Sequence, residues 1–227
     1  VTARRWTPRV AALVGLLAAA LAVALAVVVA VVVAVARSGP ATGPAGTAAR
    51  DATSTRAGSR TTGSGFDWFR AQAAPAGWLS VEVPGQLAVL SYPSTAHPVY
   101  ADPGAVAVAA ITPAGDYATY LNATPRQGGE SLANWTRFRL DHLADDTAGP
   151  AKLLATAQGL AFRGGTGSCL LDDYTSRVGA HRYREIACLV SGDRGDSVLV
   201  AATLAADWPQ QERALKLAVE SYTTGPR

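Results

Sequence analysis

Gly167-Ser-Cys-Leu-Leu-Asp-Asp-Tyr-Thr-Ser-Arg-Val-Gly-Ala-His-Arg-Tyr-Arg-Glu-Ile-Ala-Cys-Leu-Val190 reads as a β-hairpin. Two runs rich in Leu, Ile, Val and Tyr flank a turn at Val178-Gly179. Counting outward from that turn sets Cys169 directly opposite Cys188, a placement whose Cα separation suits a disulfide. These are the only two cysteines, and their 19-residue spacing differs from the Cys-x-x-Cys of redox pairs. A structural disulfide is therefore expected, contributing about 3 kcal/mol in the chain-entropy model. Alternation places Cys169 and Leu171 on one face with Ile186, Cys188 and Val190, so that face should meet a helix. The same register pairs Asp173 with Arg184, which is favourable. It also pairs Asp172 with Glu185, which is not, and either a bulge or exposure at the sheet end is expected to relieve that repulsion.

Working outward, short apolar runs separated by Pro-Gly and Gly-Pro punctuation predict further strands over 79–83, 87–92, 105–112 and 117–121. Others are predicted over 151–157 and 197–204, beside the hairpin strands 167–177 and 182–190. Helical spacing of Leu132, Trp135, Phe138 or Arg139, His142 and Leu143 predicts a helix over 131–145, with Ser131 as its N-cap and its stripe against the sheet. A closing helix should run from Trp208 to about Thr223. It would be capped by Asp207 with Gln210, and would bury Trp208, Leu215, Ala218 and Tyr222. Hairpins with helices on the sheet faces make this an α+β fold, an α-β-α sandwich with a central antiparallel sheet.

That domain, residues 66–227, is expected to hang from a membrane anchor. Val10–Ala36 is 27 residues without a charged or polar side chain. Such a run reads as a single transmembrane helix, about 40 Å long at ~1.5 Å per residue. Arg4, Arg5 and Arg9 lie in the tail 1–9, so the positive-inside rule puts the N-terminus in the cytoplasm and the C-terminal domain outside the cell membrane. A cleavable signal peptide is the alternative, since Ala34-Val35-Ala36 fits a cleavage site, although its apolar core would be unusually long. Residues 37–65 are mostly Gly, Ala, Thr, Ser, Pro and Arg and read as a flexible linker. The absence of Met and the wealth of Ala, Gly, Arg and Val look like a high-GC bacterial gene.

The charge balance excludes nucleic acid as a partner. Residues 1–65 hold seven of the 20 Lys and Arg but only one of the 17 acids, so residues 66–227 carry 13 cations against 16 acids. A basic footprint is missing from the folded part. Catalytic signatures are also missing. His97, His142 and His181 are dispersed without ligand spacing, and no Gly-x-Ser-x-Gly elbow occurs. Gly164-Gly165-Thr166-Gly167-Ser168 lacks the lysine of a phosphate loop and is read as a turn. Asp145-Asp146 and Asp172-Asp173 lack the alternation of a calcium loop. Arg194-Gly195-Asp196-Ser197 suits a hairpin turn better than an adhesion motif. No catalytic residue, metal ligand or cofactor is expected.

The stretch Tyr117–Gly129 carries the candidate binding surface. Tyr117, Tyr120, Asn122 and Arg126, with nearby Trp135, combine aromatic walls and polar groups, as pockets do. A plain strand-to-helix loop is the simpler reading of the same segment.

Gly77-Trp78 before a strand, Tyr92-Pro93-Ser94, the Tyr183-Arg184-Glu185 hairpin strand, and Val198–Leu204 leading to Trp208 and Val219-Glu220-Ser221-Tyr222 form a familiar layout. Over roughly residues 76–223 it resembles the PsbP-like fold, shared with the Ran-binding Mog protein and the LpqN-type extracytoplasmic proteins of actinobacteria. The resemblance implies an α-β-α sandwich and a non-catalytic binding or accessory role, and brings no functional residue with it. The expected function is a membrane-anchored extracytoplasmic domain acting on an envelope protein or small ligand. The alternatives are an enzyme acting on envelope polymers, or a sensor coupled to a membrane partner.

Overall fold

The computed structural model describes residues 65–225, except 114. The anchor expected over 10–36, the tail before it and nearly all of the linker lie outside the described residues. Among the described residues no helix is long and apolar enough to cross a membrane.

The elements follow the order β1 (Leu79–Glu82), β2 (Ala88–Tyr92), β3 (His97–Pro98), β4 (Val106–Ile111), β5 (Tyr117–Pro125) and α1 (Trp135–Asp146). Then come β6 (Lys152–Phe162), β7 (Gly165–Thr175), β8 (Arg182–Gly192), β9 (Gly195–Leu204), α2 (Trp208–Ser221) and β10 (Thr223–Thr224). A seven-stranded sheet runs β3-β4-β5-β9-β8-β7-β6, antiparallel throughout, and a smaller sheet runs β1-β2-β10.

Period-two alternation sends the central strands into two cores. Leu121, Cys169, Ile186, Cys188, Leu199 and Ala201 join Trp208, Leu215 and Ala218 of α2 and Leu90 of the small sheet. Their neighbours Leu170, Ala187, Leu189, Val198, Val200 and Ala202 join Trp135 of α1. The sandwich is the one expected, except that one outer layer is shared between α2 and the small sheet. Cys169 and Cys188 pair in register and form the disulfide, with Cα atoms 4.1 Å apart. Their face does meet a helix, α2.

Several expectations need correction. The β7–β8 pairing is unbroken from Gly165↔Gly192 to Thr175↔Arg182, so no bulge separates Asp172 from Glu185. Nor are they exposed: both are 0 % accessible. The glycine-rich 164–168 is not a turn; only Arg163-Gly164 turns, and β7 begins at Gly165. Glycine serves close approach there. A Cβ on Gly164 would strike the Thr224 carbonyl, and one on Gly167 the Phe162 ring. β6 accordingly runs five residues beyond its predicted end, to Phe162, and β5 continues to Pro125.

The first helix starts at Trp135 with Asn134 as N-cap. Ser131 instead anchors the preceding turn: Asn134 Oδ1 accepts the Ser131 N–H at 2.7 Å, and Ser131 Oγ accepts the Asn134 N–H at 3.3 Å. Asp207 makes no side-chain cap on α2; its carbonyl accepts the Gln210 and Gln211 amides. Tyr222 is buried as expected, but one residue past the helix, where its hydroxyl hydrogen-bonds Ser197 Oγ at 2.9 Å.

Candidate functional site

A cleft of about 500 Å³ lies between α1 and the sheet. On the sheet side the cleft is walled by Tyr120, Asn122 and Thr124 of β5 and Val198 and Val200 of β9. These share a face because the strands alternate in register, Asn122 with Val200 and Thr124 with Val198. On the helix side stand Trp135, Phe138, Arg139 and His142, spaced i, i+3, i+4, i+7 along one helical face. The stripe expected to pack wholly on the sheet is thus divided. Trp135 and Leu143 are buried, whereas Phe138 and His142 turn toward the cleft and their rings stack 6.4 Å apart. Tyr100 and Asp102 close one end, Gln127, Gly128 and Glu130 another.

Two polar groups on the helix side, those of Trp135 and Arg139, are held by the sheet. Trp135 Nε1–H donates to the Ala187 carbonyl at 3.0 Å, which fixes the indole as the cleft floor. Arg139 reaches through to Glu185, donating from Nε at 2.7 Å and from Nη2 at 2.9 Å. This bidentate, charge-assisted pair compensates Glu185 inside the protein. It also answers the expected repulsion across the hairpin. Burial first, and then the Glu185 charge, push the Asp172 carboxyl up to about 8, so it is protonated at neutral pH. Neither Asp172 oxygen has a hydrogen-bond partner in the protein.

Glu130 precedes the helix and is 3 % exposed. Its Oε1 accepts the Gln127 N–H at 2.6 Å, while its Oε2 is buried and accepts no hydrogen bond from the protein. Tyr120 is raised above the ordinary phenol range, by burial and then by Tyr117, with Asn122 hydrogen-bonding against that shift. Asn122 Nδ2–H also donates to the Val106 carbonyl at 3.1 Å, so its amide is oriented by β4.

Of the five residues expected to form a binding surface, Tyr120, Asn122 and Trp135 line this cleft. Tyr117 does not; it stacks on Tyr120 with centroids 5.4 Å apart. Arg126 points elsewhere and pairs with Asp196 at 3.0 Å; of the Arg-Gly-Asp-Ser segment expected in the turn, only Arg194 turns, bonding Gln86, while Gly195, Asp196 and Ser197 belong to β9. Residues 117–125 are strand, so alternation sends Tyr120, Asn122 and Thr124 to the cleft face, while a register shift against Ala110 and Ile111 brings Tyr117 onto the Tyr120 ring. Glu130, Arg139 and Asp102 were not singled out. Glu130 follows the Gly pair directly, and Arg139 lies one helical turn after Trp135. Either position was readable as inward-facing, but the partner of each is distant in sequence.

No family model matches the chain, and no curated protein matches it. Solved structures similar to it include cyanobacterial PsbP (CyanoP) from Synechocystis sp. PCC 6803, at 12 % identity over 66 % of this chain and 94 % of that one, with a TM-score of 0.49. They include PA94 from Pseudomonas aeruginosa, at 16 % identity over 66 % and 97 %, with a TM-score of 0.39. LpqN, involved in cell envelope biogenesis of Mycobacterium tuberculosis, is similar at 14 % identity over 66 % and 91 %, with a TM-score of 0.34.

Proposed function

We propose that residues 66–227 are a non-catalytic binding or accessory domain, held outside the cytoplasm by a membrane anchor at 10–36, and that the domain meets an envelope partner through the cleft beside α1. The observation that carries this reading is the cleft itself: aromatic walls with a few oriented polar groups, the composition of recognition sites. Its Arg139, Trp135 and Asn122 are already tied to Glu185, Ala187 and Val106, which suits a fixed recognition surface better than proton transfer. The buried disulfide fits an oxidising compartment.

A second reading, an enzyme acting on envelope polymers, draws on one feature: the protonated Asp172 carboxyl beside Glu185. Both are fully buried, Glu185 is paired with Arg139, and neither lines the cleft.

Crosslinking in cells, then capture of the full chain, tests the first reading. Tyr120→Ala with Phe138→Ala should abolish recovery of the specific envelope partner, and Arg126→Ala, outside the cleft, should leave it unchanged. Equal recovery from all three chains would remove the cleft from the function. Turnover of an envelope polymer that Asp172→Asn abolishes would favour the enzyme.

A further inference from the structure

The cleft lining carries two acids, Asp102 and Glu130, beside Arg139. Of its ionisable lining, Arg139 is matched one-to-one by Glu185. Asp102 and Glu130 add negative charge with no second cation of that strength among the lining residues. The decisive atom is Glu130 Oε2. A carboxylate oxygen removed from water and left without a donor is unfavourable. The other oxygen of the same group is held by the Gln127 amide, so the carboxylate cannot swing out to solvent without breaking that bond.

One aromatic ring, Phe138, borders the space beside this oxygen. A Cβ placed on Gly128 would lie 3.1 Å from Glu130 Oε2 and 3.6 Å from the Phe138 ring. Glycine at 128 therefore keeps open a small space bounded by a carboxylate oxygen and an aromatic ring. Trp135 lies 6.3 Å from Phe138 between centroids, and Tyr120 stands across on β5. Aromatic faces next to an unpaired carboxylate attract ammonium groups, by cation–π interaction and by a charge-assisted hydrogen bond. An anionic ligand would meet Asp102 and Glu130 with like charge.

From this arrangement the geometry points to an aliphatic ammonium group as the ligand of the cleft, its N–H donating to Glu130 Oε2 and its alkyl stem lying along Phe138 and Trp135. The inference rests on the cleft being the binding site, as proposed above, and names what enters it.

The test is calorimetric titration of the full chain in detergent with three probes of one shape: pentylammonium, pentan-1-ol and pentanoate. Pentylammonium should bind saturably, at least about tenfold more tightly than pentanol, and pentanoate should not bind. Glu130→Gln keeps an oxygen for the Gln127 amide, and Gly128→Ala keeps the carboxylate but fills the space beside it. Each should weaken pentylammonium binding by about tenfold or more while the thermal midpoint stays near that of the parent. Equal binding of pentanol and pentylammonium, or undiminished binding in Glu130→Gln, would overturn the inference. Saturable pentanol or pentanoate binding lost on Phe138→Ala would sink the ammonium assignment and leave the cleft as the binding site. Absence of binding by all three probes would also sink it, and the capture comparison above would then decide separately whether the cleft binds anything.

Discussion

Asp172, Glu185 and Arg139 show how one position in a strand is settled by a residue far away in sequence. The register of the hairpin made the clash between Asp172 and Glu185 visible, and both residues do face each other. Its resolution was not visible, because it comes from α1: Arg139 neutralises Glu185, and burial keeps the proton on Asp172. A pH dependence follows with a definite sign. Asp172 titrates near 4 when unfolded and at about 8 when folded. Between those values the folded state holds a proton that the unfolded state has released, so stability falls as pH rises from about 4 to about 8, then levels off. Asp172→Asn removes this term. Urea unfolding at pH 4, 6 and 8 should show the variant gaining on the parent as pH rises. Parallel pH profiles for the two proteins would show that Asp172 ionises normally. Neighbouring Asp173 has the opposite sign. Its hydrogen bond with Arg184, joined by Arg182, lowers its pKa, so its contribution is lost as pH falls through the acid range.

Strands and helices differ in how far they could be read. The β7–β8 hairpin was legible to the residue, because its turn, its alternation and its cysteine pair all specify one register. Replacing Cys169 and Cys188 together by Ala, at two fully buried sites, should cost about 3 kcal/mol of stability in the chain-entropy model. An unchanged denaturant midpoint would show that the surrounding sheet, and not the crosslink, holds this loop. The β6–β7 hairpin was misread because glycine has two uses. At 164 it turns the chain with φ of 81°, but at 165 and 167 it admits a neighbouring backbone or ring, and only the fold reveals which neighbour. α1 was legible in its spacing, though it starts at Trp135 and not at 131, and spacing alone cannot tell a side chain buried on the sheet from one that borders a cleft. His142 is exposed at the cleft, and Phe138 is shared between the cleft and the core beneath α1.

For the molecule as a whole, the sequence stated the layer order well, since hairpins and two amphipathic helices leave few ways to bury apolar faces. The second, smaller sheet was not foreseen as separate. β10 is two residues long, and its pairing with β2 joins chain segments some 130 residues apart. The candidate site was legible in part. Tyr120, Asn122 and Trp135 carry the aromatic and amide character that marks recognition surfaces, whereas Glu130 gains meaning only when its second oxygen is seen to lack a donor.

The proposed engagement of a partner through this cleft can be read directly by proximity. Two sites of nearly equal exposure allow a direct comparison: Tyr100 at the cleft end, 85 % exposed, and Val178 at the β7–β8 turn, 87 % exposed. A photoreactive residue placed at one or the other in the full chain, activated in cells, reads proximity with matched accessibility. A specific crosslinked species from position 100 that is absent from position 178, and lost when Phe138→Ala is added, is the predicted result. The same species from both positions, or from 178 alone, would contradict a binding role for the cleft.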